Sequence, residues 1–396
     1  MRVLLVHQSF PSQLIAVLEA LEQQGDVELA GIGMNAYARK GLRYRQYSPA
    51  PVQPTGDIVI DDLASKATVA SGAAAAARAL SYDGFVPDII IAHPGWGEAL
   101  YLKDLFPRAK LVCYCEYYYL RSGGEVDFDP EFPPASPEIL HRMRARNAIT
   151  LASLDDAEVC VSPTPWQRST FPELIRPKIE VIHEGIVVPA EVPSGNGALE
   201  QAGEGLIVTY AARHLEPHRG FHTFMRALPR LLKENAKVQV RVIGAERGGY
   251  GAPPSDGRTW KEVLLAEVGG SLDLSRVQFL GTVERQRYLD LLRRSALHVY
   301  LTYPFVLSWS ALEVLALGGA MVASDTAPVR DFVESGDGAE LVDFFDPRGL
   351  SARLKQLLAR PAARARLSQR AREIVVERKL TREDGRTGWL RLMSSL

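Results

Sequence analysis

The sequence predicts an α/β protein made of two Rossmann-like, parallel-sheet domains. Three observations carry that expectation. Short apolar runs alternate with helical patterns in both halves of the chain, as they do in βαβ units. Between 184 and 205 the alternation lapses into Pro, Gly, Glu and Ser with no periodicity, as interdomain linkers do. The 396 residues are enough for two domains that each bury a core. The boundaries read as an N-terminal domain over 1–185, a linker over 186–205, a second domain over 206–375 and a terminal segment over 376–396.

Taken in order, Val3–Val6 reads as a buried strand, Ser12–Gln23 as a helix and Val27–Ile32 as the next strand. The alanine-rich Asp61–Leu80 is helical, followed by strand Asp88–Ala92 and a short helix at Gly97–Leu105. Strand Lys110–Cys115, an Arg-bearing helix near Ser136–Leu151 and strands Val159–Ser162 and Ile179–Ile182 complete the first half. The second half repeats the alternation: Leu206–Ala211, helix His222–Glu234, Val238–Ile243, helix Thr259–Val268, Val277–Phe279, helix Arg285–Arg294 and Leu297–Leu301. Helix Leu312–Leu317, stopped by Gly318-Gly319, leads to strand Ala320–Ala323 and a short helix near Pro328–Glu334. From Pro347 onward the chain is mostly helical. The segment Ala245–Asp256, with Gly248, Gly249 and Gly251, is long for a βα turn and reads as a flap or a surface loop.

A net charge of -1 gives no global attraction to nucleic acid or an anionic membrane. No apolar run approaches the ~18–20 residues that span a bilayer. Cys113, Cys115 and Cys160 lie in or beside strand-like runs, which suits reduced, buried thiols in a cytoplasmic protein and offers no metal-ligand spacing. Basic residues cluster at 39–45 and at Arg142, Arg144 and Arg146. Most such runs are solvated faces; the other reading is a patch for an anionic acceptor or peripheral membrane contact.

The chemistry-bearing residues fall at strand ends. Arg213 closes one strand and Arg219 precedes a helix beside Gly220, so two guanidiniums could clamp a diphosphate. Ser308 and Ser310 are candidate caps of a helix whose N-terminus suits phosphate, and Glu313 is the lone carboxylate inside that apolar helix, suited to a vicinal diol. His93 follows Asp88–Ala92 in His93-Pro94-Gly95-Trp96-Gly97-Glu98, where two glycines permit close approach to a reacting sugar or its phosphate. Cys115-Glu116-Tyr117 offers polar and stacking contacts to an acceptor, or packing. There is no G-x-G-x-x-G after the first strand and no Walker-type lysine loop.

Arg213…Arg219-Gly220, Val277-Gln278-Phe279-Leu280-Gly281 and Phe305…Leu312-Glu313 together resemble glycosyltransferase family 4, whose members are retaining enzymes of the GT-B fold. His7-Gln8-Ser9-Phe10-Pro11, Phe128–Pro133 and Ser162–Gln167 are similar to a bacterial subgroup of that family. The resemblance implies two domains facing across a cleft, with the last helix crossing back to the first. It implies catalytic roles for His93, Arg213 and Arg219, and donor contacts at Gly244, Gly281, Thr282, Val283, Phe305, Val306, Leu307, Ser308, Trp309 and Glu313. Acceptor-side contacts are implied at Phe10, Pro11, Trp96, Glu98, Glu116 and Tyr117. Glu313 falls on the family's second glutamate, which binds ribose. Phe305 stands where the first glutamate, a donor-sugar ligand, is usual, and Arg219 replaces the usual Lys.

The implied function is transfer of a hexose from a nucleotide sugar, a UDP-sugar such as UDP-glucose, to a saccharide or lipid-linked acceptor, with retention and with neither metal nor cofactor. The partners are therefore small molecules and not nucleic acid. A nucleotide-sugar epimerase or hydrolase on the same fold, and a non-catalytic nucleotide-sugar-binding protein, are the alternatives.

Overall fold

The structure, a computed structural model, describes residues 1–134, 136–189 and 205–396, so most of the expected linker at 186–205 lies outside the described residues. The chain divides into two compact units. One comprises Met1–Asp127, Pro133–Gly185 and Lys379–Leu396; the other comprises Phe128–Phe132 and Ile186–Arg378.

The first unit holds β1 (Arg2–Val6), β2 (Glu28–Gly33), β3 (Leu42–Gln46), β4 (Ile89–Ala92), β5 (Lys110–Tyr114), β6 (Val159–Ser162) and β7 (Ile179–Val181). They form a parallel sheet in the order β3-β2-β1-β4-β5-β6-β7. β1 and β4 bury nearly every side chain, as strands covered on both faces must, which is why they are continuous runs of Val, Leu and Ile. Strand order reverses between β1 and β4, the switch point above which open α/β sheets take ligands.

Two elements here differ from expectation. The basic run at 39–45 contains an edge strand, β3, whose arginines are ion-paired: Arg43 lies 2.7 Å from Glu28, and Arg45 pairs with Asp83. Charged, half-exposed residues guard a sheet edge against further pairing, and that disguised the strand as a surface patch. The short helix at Gly97–Leu105 shrinks to Leu102–Leu105, because Gly97 adopts φ 106 against the Lys66 carbonyl. The alanine-rich helix runs Ile58–Tyr82 from an Asp57 cap that accepts the Val59 and Ile60 amides. The last helix, Arg382–Ser395, starts from a Thr381–Asp384 capping box and packs on Ile15–Glu22, where Trp389 is fully buried among Val17, Leu18 and Leu21.

The second unit holds β8 (Leu206–His214), β9 (Val238–Ala245), β10 (Val277–Phe279), β11 (Leu297–Tyr300), β12 (Met321–Ser324), β13 (Glu334–Ser335) and β14 (Gly338–Val342). Its parallel order is β10-β9-β8-β11-β12-β14-β13, with the switch point between β8 and β11. The expected helix near Pro328–Glu334 ends at Arg330. Gly336 and Gly338, both at positive φ, then turn the chain into the β13–β14 pair, which the sequence reading did not contain.

The five residues Phe128–Phe132 belong to this unit. The Asp129 carboxylate accepts the Tyr303 hydroxyl at 2.7 Å and lies 3.3 Å from His222 Nε2. Glu131 forms a forked pair with Arg226, both bonds 2.6 Å, and Phe128 packs among Tyr303, Phe344 and Phe345.

Candidate functional site

In the second unit the candidate residues gather at the switch point. β8 carries a register shift between Ala211 and His214, so Arg213 sits in an irregular, exposed strand end and makes no ion pair among the described residues. Arg219 ends the turn Pro217–Arg219 and is buried. Its Nη1 donates to Thr302 Oγ1 at 2.7 Å, to the Val306 carbonyl at 3.2 Å and to the Tyr300 hydroxyl at 3.3 Å. Among the described residues all of its hydrogen-bond partners are neutral. The Glu216 carboxylate acts on it electrostatically without bonding to it, and a buried cation bonded only to neutral acceptors still favours an anionic ligand.

The loop after β11 is tied to that guanidinium. Tyr300 also accepts the Ser308 amide at 2.9 Å, and Ser308 caps helix Trp309–Ala316 by accepting the Ser310 amide. Val306, Leu307 and Ser308 are half-buried, while Trp309 is exposed and Phe305 buried. Gly244 and Gly281 meet directly: the Gly244 amide donates to the Gly281 carbonyl at 3.0 Å. Gly244 has φ 154, and a Cβ there would lie 2.7 Å from the Ala212 carbonyl oxygen. Thr282 is exposed and Val283 half-buried beside this contact.

Glu313 is buried, as a residue inside that helix should be, but it is not lone. Arg285, on the first turn of helix Arg285–Arg293, forms an ion pair with it. The Tyr288 phenol is pushed far up by burial and then by the Glu313 charge. A vicinal diol at Glu313 must therefore displace Arg285.

The first unit brings together the ends of β1, β4 and β5. Gly95 N–H donates to His93 Nδ1 at 3.2 Å, which puts the proton on Nε2, 3.3 Å from a Glu116 oxygen. The other Glu116 oxygen accepts the Gln13 amide at 2.7 Å. Burial works to raise the Glu116 carboxyl, but the His93 bond, the nearby His93 and His7 imidazoles, and Gln13 hold it below its ordinary value. Edge-on to His93 lies His7, whose pKa falls to about 3 through burial and then the neighbouring imidazole. Trp96 stacks on His93, with the Lys66 ammonium 4.7 Å from its ring centre. Pro11 is half-buried beside Gln13.

Three of the residues expected on the acceptor side are buried. Phe10 is core, against Tyr37 and Tyr44. Glu98 is wholly buried, and burial raises its carboxyl. Tyr117 donates to Glu125 at 2.6 Å inside an aromatic cluster with Tyr119 and Trp166.

Gln13, Lys66, Arg285 and Tyr300 belong to these constellations without having been singled out by sequence. Their signal is tertiary: each becomes informative only through the partner that folding supplies. Among the described residues no group of three His, Cys, Asp or Glu side chains is placed to hold a metal, and no helix is long and apolar enough to cross a membrane.

Residues 25–190 match the family described as Glycosyl transferase family 4 group, and residues 199–374 match Glycosyl transferases group 1. The chain is similar to the phosphatidyl-myo-inositol mannosyltransferase of Mycolicibacterium smegmatis, 29% identical over 177 residues, which is 43% of this chain and 41% of that protein. It thus spans less than half the length of that relative. Among solved structures, sucrose-phosphate synthase from Thermosynechococcus elongatus superposes with a TM-score of 0.75 at 17% identity, covering 100% of this chain and 98% of that one. Anabaena Alr3699/HepE in complex with UDP superposes with a TM-score of 0.71 at 16% identity over 100% of both chains.

Proposed function

Because the chain belongs to the family 4 glycosyltransferases and has their GT-B fold, we propose that it transfers a hexose from a UDP-sugar such as UDP-glucose to a saccharide or lipid-linked saccharide. The observation that carries this reading is the Arg219 guanidinium, buried at the β8–β11 switch point and bonded, among the described residues, to neutral acceptors. A diphosphate is the anion that suits it. Arg213, unpaired among the described residues, adds a second cation, and the half-buried Val306–Ser308 loop with the capped helix behind it adds oriented amides. The UDP bound in the HepE structure supports the choice of nucleotide.

The chemistry follows from charge. As the anomeric C–O bond breaks, negative charge grows on the diphosphate, and Arg213 and Arg219 stabilise it more in the transition state than in the ground state. The acceptor hydroxyl attacks from the face the diphosphate leaves, with the leaving phosphate oxygen taking its proton, so configuration is retained and neither metal nor enzymic nucleophile is required. His93, held by Glu116 and Gly95, is the residue we assign to the transferred sugar, and Trp96, stacked on it, the one we assign to the acceptor. Gly244, Gly281, Thr282 and Val283 hold the base, and Glu313 holds the ribose diol once Arg285 has moved.

The test is calorimetry and thermal shift with UDP-, GDP-, ADP- and dTDP-sugars, because a ligand of the folded state raises its melting temperature. UDP-sugars are expected to bind and Glu313→Ala to weaken them. Unchanged UDP affinity in that variant would remove the ribose role, and absence of binding by every nucleotide would remove the donor reading.

A further inference from the structure

The long glycine-bearing loop 246–259, between β9 and helix Trp260–Val268, has no part in the contacts described so far. Its middle is held by one side chain. Glu216, 1% exposed, accepts the backbone N–H groups of Tyr250 at 2.8 Å and Gly251 at 3.1 Å on the same oxygen, Oε2. Its other oxygen, Oε1, is buried with no hydrogen-bond partner among the described residues. The three glycines are where the loop needs them. A Cβ on Gly248 would meet the His214 ring at 3.0 Å, one on Gly251 would meet His218 Nδ1 at 2.9 Å, and one on Gly249 would collide with Glu216 itself. The loop thus lies backbone-down on residues 214–218, the turn that delivers Arg219.

That docking aims one side chain. The Tyr250 ring, 46% exposed, stands 5.0 Å from the Phe305 ring, edge to face. The Arg219 guanidinium carbon lies 5.7 Å from the Tyr250 ring centre and 6.0 Å from that of Phe305. An anion on Arg219 would have two aromatic rings beside it, and the group esterified to that anion would meet the exposed one. Aromatic faces pack well against the C–H faces of sugar rings.

We propose that loop 246–259 is a lid over Arg219, latched by the Glu216 carboxylate, and that Tyr250 is the side chain on it that meets the sugar carried by a bound nucleoside diphosphate. Glu216 is a positioning residue and Tyr250 a sugar contact; the assignment rests on Arg219 being a diphosphate site. Two amide donors on one oxygen make a latch that can be broken without unfolding the sheet. The unpartnered Oε1 leaves the carboxylate able to take a further donor when the lid lifts.

The experiment combines amide hydrogen exchange at Tyr250 and Gly251 with calorimetry, using UDP, UDP-glucose and GDP-mannose as probes, on the full chain and its Glu216→Gln, Tyr250→Ala and Tyr250→Phe variants. Without ligand, exchange at the two amides is expected to quicken by about tenfold or more in Glu216→Gln, because a neutral amide oxygen is the weaker acceptor. Tyr250→Ala is expected to weaken the nucleotide sugar that binds by about tenfold while leaving UDP nearly unchanged, and Tyr250→Phe to restore it. Tyr250 is half-exposed, so these variants fold. Unaltered exchange in Glu216→Gln overturns the latch, and equal losses for UDP and its sugar in Tyr250→Ala overturn the contact. If no nucleotide binds the unaltered chain, the diphosphate reading and with it the sugar contact fall, while the exchange comparison still decides the latch.

Discussion

Arg219 is the residue on which the donor half turns, and its environment separates binding from stability. Replacing it with Met keeps most of the volume and removes the charge. Loss of charge-assisted bonds of ~1.5–3 kcal/mol should weaken UDP by about tenfold to a hundredfold. The melting temperature should move little, since removing a buried cation offsets the lost neutral hydrogen bonds; an unchanged UDP affinity in calorimetry would show that the anion binds elsewhere. His298, in the middle of β11, gives a pH signature. Burial lowers its pKa to about 3; Nδ1 lies 2.8 Å from Thr209 Oγ1 and Nε2 has no partner among the described residues. Between that value and the ordinary 6.5 the unfolded chain binds a proton that the folded chain refuses. Stability supplied by neutral His298 is therefore present above pH 6.5 and declines as pH falls toward 3. Urea unfolding of wild type and His298→Asn should show a stability difference that narrows from pH 7 to pH 4, and a constant difference would mean that the imidazole is not the titrating group. Sequence reading reached Arg219 and Glu313 because strand ends and an acid in an apolar helix are local signals. It could not reach Glu216 or Arg285, whose partners lie 34 and 28 positions away.

At the scale of elements, the turn that delivers Arg219 depends on Gly220. It adopts φ 64, and a Cβ there would collide with the Leu301 side chain on the neighbouring strand end. Gly220→Ala should cost about 1–3 kcal/mol through backbone strain alone, more with the clash, and should lower UDP affinity by displacing the guanidinium. A chemical-denaturation midpoint equal to wild type would show that the turn relaxes freely. The same element explains why the strands were legible and the loops were not. β1, β4, β8 and β11 announce themselves as apolar runs because both their faces are covered. β3, alternating arginine with half-buried residues at an edge, and β14, preceded by two turning glycines, carry no such run. The loop at 246–259 was visible as an anomaly of length and glycine content, but its docking on Glu216 needed the fold.

Across the whole molecule, chain order and compact units do not coincide. The first unit is completed by the last eighteen residues, Lys379–Leu396, while Phe128–Phe132, from the middle of its sequence, packs in the second. The core around β1 thus contains side chains 380 or so positions apart: Val3 and Leu5 share a cluster with Trp389, Leu392 and Met393. It follows that the first unit cannot close its core until Lys379–Leu396 has been made, whereas the second has all of its residues by Arg378. Trp389→Ala removes the largest fully buried side chain and should cost about 3–5 kcal/mol, the range for an aromatic truncated in a close-packed core. The loss should be local. Amide exchange should quicken in β1, β4 and β5 and in helix Ile15–Glu22, with β8, β9 and β11 keeping their protection and UDP its affinity. Equal loss of protection in both sheets would show that the last helix stabilises the molecule as one cooperative body, and preserved protection in β1 would show that the remaining core suffices without it.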